Sequence, residues 1–140
     1  MAQTEHLPIY KASYDFCLYV EQVVRGFSRY HKYSLGTELR EGARWVLRLV
    51  VRANGRRDKA PVLLEIRDQC EDLKVLIRLG HDAKVFGSFK TFEHAITQVV
   101  AIAKQNDGWL KYHRSPSSQP MGPGQNRRAA SAEPATPGVP

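Results

Sequence analysis

Between Pro8 and Gln105 the apolar residues recur every three or four positions, and no stretch alternates with a period of two. A helix of 3.6 residues per turn gathers such positions onto one stripe, whereas a strand would send them to both faces. Ile9, Phe16, Val20, Val23, Val24 and Phe27 make one stripe, and Leu39, Ala43, Val46, Val50 and Ala53 make a second. Leu63, Ile66, Cys70, Leu73 and Ile77 make a third.

Breakers and capping residues divide this pattern into four helices. The first runs over about 8–28, with Pro8 in the permitted first turn and Gly26 fraying its end. The link "RYHKYSLG" leads to the second, about 37–57, capped by Ser34 or Thr37, with Asn54-Gly55 marking its end. Asp58 caps the third, Pro61 sits in its first turn, and it runs to Leu79 with Gly80 just past it. Ser88 caps the fourth, Phe89 to Gln105, which "NDG" breaks before "WLKY". Four long amphipathic segments with short links predict an all-α, up-down antiparallel four-helix bundle over residues 1–112. Residues 113–140 hold six of the eight prolines and few large aliphatic residues, a composition expected to stay disordered.

The charge is one-sided. Residues 1–24 carry a net −2, 25–57 carry +7, 58–112 carry 0 and 113–140 carry +2, which sum to the +7 of the whole chain. Within the basic window, arginines stand at 40, 44, 48, 52 and 56. A step of four advances the helix by about 40° beyond a full turn, so five arginines spread over roughly 160° and climb ~24 Å. They lie opposite the apolar stripe. A solvated helix face normally mixes signs, with acids placed to pair with bases. From Gly42 to Arg57 there is no acid, and from Tyr33 to Asp58 no lysine. Arginine presents a planar fork that matches phosphate and carboxylate. A polyanion such as nucleic acid fits this row best; an acidic protein surface and plain solvation are the other two readings.

A second apolar surface is also indicated. Apolar residues on the second helix reach from Leu49 round to Leu47 and Val51, an arc of roughly 200° where a bundle helix needs about half that. On the third helix Leu64, Val75 and Leu79 stand opposite the core stripe, among Asp68, Glu71 and Asp72. Together these suggest a homo-oligomer or a docked protein, or else packing beneath a loop. Trp45 falls within the arginine arc and is either an interface anchor or a stacking platform. Tyr10, Tyr14, Tyr30 and Tyr33 either straddle the core edge or stack bases.

No catalytic constellation stands out. His6, His31, His81, His94 and His113 form no metal-ligand spacing, and there is no Gly-rich phosphate loop or nucleophile elbow. Cys17 and Cys70 stand alone and read as small core residues. Asp68, Glu71 and Asp72 read as a solvent face pairing with Arg67 and Lys74. The chain is therefore taken as non-enzymatic, with no cofactor or metal. The absence of an apolar run of membrane-spanning length predicts a soluble, cytoplasmic protein without membrane contact.

"LPIYKASYDF", "YHKYSLGTEL", "RDKAPVLLEI" and "DGWLK", in that order over residues 7–111, resemble the recurring segments of a family of small four-helix proteins. It includes the accessory variability determinants of diversity-generating retroelements and relatives encoded within ribosomal RNA insertions. The resemblance implies a barrel-like homopentamer without catalytic residues that binds RNA or DNA. It also implies a reverse transcriptase partner and a role in mutagenic copying of template RNA into cDNA. Loosely carried over, the basic surface corresponds to Arg40, Arg44, Arg48, Arg52 and Arg56, with Arg57 and Lys59 at the helix junction. Leu64, Val75, Leu79 and Trp45 are the interface candidates. The ribosomal-insertion branch implies instead a structural protein that grips RNA or an acidic protein; the +7 window and the second apolar surface favour the retroelement branch.

Overall fold

The structure is a computed structural model that describes residues 6–113. It contains helices α1 (Pro8–Arg25), α2 (Arg29–Lys32), α3 (Leu35–Asn54), α4 (Ala60–Asp82) and α5 (Phe89–His113). Four are long and α2 is a single turn in the link, so among the described residues the fold is all-α with four principal helices. The expected tail, 114–140, lies outside the described residues.

Side-chain contacts set the directions. Val24 meets Gly36 while Glu21 reaches Arg40 and Arg44, so α1 and α3 run antiparallel. Leu35 lies by Gly80 and Leu73 by Gly42, which makes α3 and α4 antiparallel. Asn106 bonds to Leu63 while Phe92 stacks on His81, so α5 returns along α4. Tyr19 of α1 donates to the Thr91 carbonyl and meets His94 edge-on, joining α1 to α5. This is the up-down order of a four-helix bundle. The three stripes read from the sequence are buried, apart from Val23, which is half-buried.

The helix ends depart from sequence expectation where tertiary contacts intervene. Ser34 precedes α3, but its hydroxyl donates back to the Tyr30 and His31 carbonyls and caps no amide. Lys59, not Asp58, precedes α4. Gly80 lies inside α4, at a close approach that only glycine fits: a Cβ there would stand 2.9 Å from Phe86 and 3.0 Å from Leu35. The helix ends two residues later: Lys84 adopts φ 60°, its amide bonds to the His81 carbonyl and that of Val85 to the Gly80 carbonyl. That is a left-handed cap with the usual glycine replaced. Ser88 does cap α5, accepting from the Thr91 amide at 3.2 Å. The expected break at Asn106-Asp107-Gly108 does not occur; buried Asn106 donates to the Leu63 carbonyl at 2.8 Å, which offsets its weak helix propensity.

A boundary between two units falls between Asp107 and Gly108. Within the described part of the second, His113 meets the rings of Trp109 and Tyr112 edge-on.

Candidate nucleic-acid interface

The arginine row begins on α3 at Arg40 and continues through Arg44, Arg48 and Arg52. Gly55 then closes the helix, its amide reaching the Val51 and Arg52 carbonyls. Arg56 and Arg57 therefore lie in the connection to α4, which shortens the helical row from the expected five residues to four. Lys59 is occupied otherwise: its ammonium donates to the carbonyls of Ala53 (3.0 Å), Asn54 (3.4 Å) and Arg56. A cation there satisfies the orphan carbonyls at the end of α3 and faces the negative end of its dipole. In this geometry Lys59 shapes the loop carrying Arg56 and Arg57 and does not reach outward.

The row crosses α3 obliquely. At its lower end Arg44 Nη2 lies 2.5 Å from Glu21 Oε2 on α1, with Arg40 Nε 3.9 Å from the same oxygen. At its upper end the Arg52 guanidinium sits 5.0 Å from the centre of the Trp45 ring, a cation–π pair. Trp45 in turn lines a groove between α3 and α4 with Val75 and Leu76. The row thus starts against α1 and finishes toward α4, following its 40° advance per step.

Glu21 is the acid the local sequence around the row does not contain. It comes from another helix and offsets one of the two positive charges at the lower end, where it bonds to Arg44. Arg48 and Arg52 are exposed, and among the described residues neither forms an ion pair; nor do Arg56 and Arg57. The unneutralised charge is therefore concentrated at the upper end and the following loop. Cys17, half-buried on α1, lies within the field of Arg44 and Arg48; burial pushes its thiol up to about 11 despite them. Burial pushes Cys70 up to about 12. Both thiols stay protonated at neutral pH.

The interface candidates divide. Val75 is 66% exposed, Leu79 55% and Leu64 36%, so α4 carries an apolar row facing away from the core. Trp45 and Val75 meet in the α3–α4 groove of about 470 Å3, which Glu38, Glu41 and Asp72 also line. Leu49 belongs to the core, which narrows the wide apolar arc expected on α3 and leaves Val51 as its exposed member. Glu71 pairs with Lys74 at 2.7 Å, as their spacing predicts.

A family model described as bAvd-like matches residues 7–113, a span that takes in every helix. The chain belongs to this family. No curated protein matches it. The bAvd-like family, of the accessory variability determinant type, is one of accessory, non-catalytic proteins. Among the described residues no three His, Cys, Asp or Glu side chains are grouped to hold a metal ion, and no helix is long and apolar enough to cross a membrane.

Proposed function

We propose that the chain is a non-enzymatic accessory subunit of a diversity-generating retroelement. It holds template RNA or cDNA on its arginine surface while docked to the reverse transcriptase, and so supports mutagenic copying. The observation that carries this reading is the exposed set Arg48, Arg52, Arg56 and Arg57, free of carboxylate partners among the described residues, on a member of the bAvd-like family. Phosphates are the counter-ions such a set fits, and Trp45 beneath Arg52 adds a ring at its edge. Leu64, Val75 and Leu79 supply an apolar face for assembly into a homopentamer or for the polymerase.

Binding of single-stranded RNA and DNA at rising salt tests the phosphate surface. Affinity falls steeply with salt, and each phosphate-contacting arginine removed flattens the logarithmic slope by roughly 0.7–0.9. Arg48→Glu with Arg52→Glu lowers affinity by at least tenfold while the helical signal is unchanged. Salt-independent binding, or binding indifferent to the double substitution, removes the reading in favour of an acidic protein partner. Co-purification with the polymerase and native mass measurement test the other two claims; a monomer at micromolar concentration rules out the pentamer.

A further inference from the structure

We propose that the junction of α1, α2 and α3 is a separate phosphate-binding pocket, in which Arg25, Lys32 and Arg40 receive one phosphate group. Each cation comes from a different element: Arg25 ends α1, Lys32 ends α2, and Arg40 stands in the second turn of α3. They line a pocket of about 190 Å3 with Glu21 and Val24, room for a tetrahedral oxyanion and bridging water.

The charges in this pocket are poorly matched within the protein. Glu21 is its one acid, and its Oε2 is held at 2.5 Å by Arg44, outside the pocket lining. The same oxygen is 3.9 Å from Arg40 Nε, beyond hydrogen-bond distance. That Nε is buried and has no hydrogen-bond partner among the described residues. Arg25 and Lys32 form no ion pair among the described residues. Three cations thus line a pocket whose single carboxylate a fourth has drawn aside. A phosphate brings nearly two negative charges and several acceptor oxygens, enough to serve all three.

The pocket is built by backbone geometry as well as by charge. The Ser28 carbonyl accepts from the amides of His31 (3.1 Å) and Lys32 (2.9 Å), forming the single turn that presents Lys32. Gly36 lets this turn and α1 close on α3: a Cβ there would stand 2.7 Å from Val24 and 3.2 Å from the His31 carbonyl. Tyr30 and Tyr33, in the same link, are 80% and 72% exposed, far from straddling a core edge. The proposal stands apart from the accessory role and shares only Arg40 with the arginine row.

Titration of the full chain with inorganic phosphate in chloride buffer, followed by amide chemical shifts, tests it. The expected result is saturable binding with shifts around Arg25, Lys32 and Arg40. Arg25→Gln with Lys32→Gln weakens it at least tenfold, and Lys32→Arg retains it. Arg48→Glu with Arg52→Glu leaves it within about threefold, so the pocket can fail while the arginine row succeeds, and the reverse. No saturation, or equal loss in both double variants, overturns the pocket, since equal loss marks a general field. Oligonucleotides with 5′-phosphate and 5′-hydroxyl ends then identify the source. A tenfold preference for the phosphate, abolished by Arg25→Gln with Lys32→Gln, assigns the pocket to a strand end. Equal affinities, with inorganic phosphate still bound there, assign it to a free phosphate compound; both results support the pocket.

Discussion

Helix α3 has two flanks made on different principles. Against α4 the contact at mid-helix is steric: Gly42 makes room for the side-chain ends of α4, and a Cβ would lie 2.9 Å from Leu73 and 3.0 Å from Gln69. Beside it opens the groove with Trp45, Val75 and three acids. Against α1, along the arginine row, the contact is electrostatic, with Glu21 serving Arg40 and Arg44. One helix therefore presents acid and aromatic surface toward α4, where the upper end of the arginine row meets Trp45, and the lower end of that row toward α1. Both flanks are packed, by Gly42 against α4 and by Gly36 against α1, but along the arginine row charge leaves Arg48 and Arg52 available for a ligand.

Gly42→Leu breaks the steric flank and has the largest expected effect. Overpacking there costs about 1–3 kcal/mol in denaturant unfolding. Gly42→Ala is near neutral, because the clashing atoms are the ends of Leu73 and Gln69 and alanine gains roughly 0.5–1 kcal/mol of helix propensity. Equal losses in both variants would mean that the backbones, not the side-chain tips, define the approach. Asn106→Ala comes next: it leaves the buried Leu63 carbonyl without this donor and costs about 1–3 kcal/mol by the same measurement.

On the α1 flank the stability change is small. Glu21→Gln shifts unfolding by less than about 1 kcal/mol, since the pairs are partly exposed and screened. Its clearer signature is in ligand binding. With the carboxylate gone, Arg40 and Arg44 become available, and affinity for single-stranded RNA at low salt rises about two- to fivefold. A fall in affinity would show that Glu21 instead holds these arginines in their binding geometry.

Much of this contrast was legible in the sequence. The core stripes on α3 and α4 followed from spacing alone, because burial imposes the helical period on the chain directly. So did the outward placement of Leu64, Val75 and Leu79. Glu21 was not legible, because it belongs to a helix whose approach is tertiary; the missing acids near the arginines suggested a free row, yet half the helical row is paired. The true ends of α4 and α5 were hidden for the same reason. Gly80 and Asn106 look like breakers until Phe86, Leu35 and Leu63 are placed around them. Arg25 and Lys32 belong to the basic window, yet the sequence does not place them, since only the turn at α2 brings them to Arg40.

The two cysteines offer the finest comparison of the flanks. Cys17 lies beside the arginine row, where Arg44 and Arg48 pull its thiol down and Glu21 pushes it up, both weaker than burial. Cys70, buried on α4, feels burial first and then Lys74. Burial holds both thiols protonated in the folded state, about 11 for Cys17 and about 12 for Cys70 against 9.0 for a free thiol. The sign follows: this stabilisation is intact below pH 9 and is lost as pH rises toward 11 and 12, because the unfolded chain releases its protons first. Arg48→Glu removes a cation near Cys17 and adds an anion, so the thiolate is disfavoured further. In a protein retaining Cys17 alone, alkylation between pH 9 and 11 slows, and its titration moves to higher pH. In a protein retaining Cys70 alone the profile does not move. Identical shifts at both cysteines would mean that Arg48 acts through the net charge of the chain and not across the α1–α3 seam.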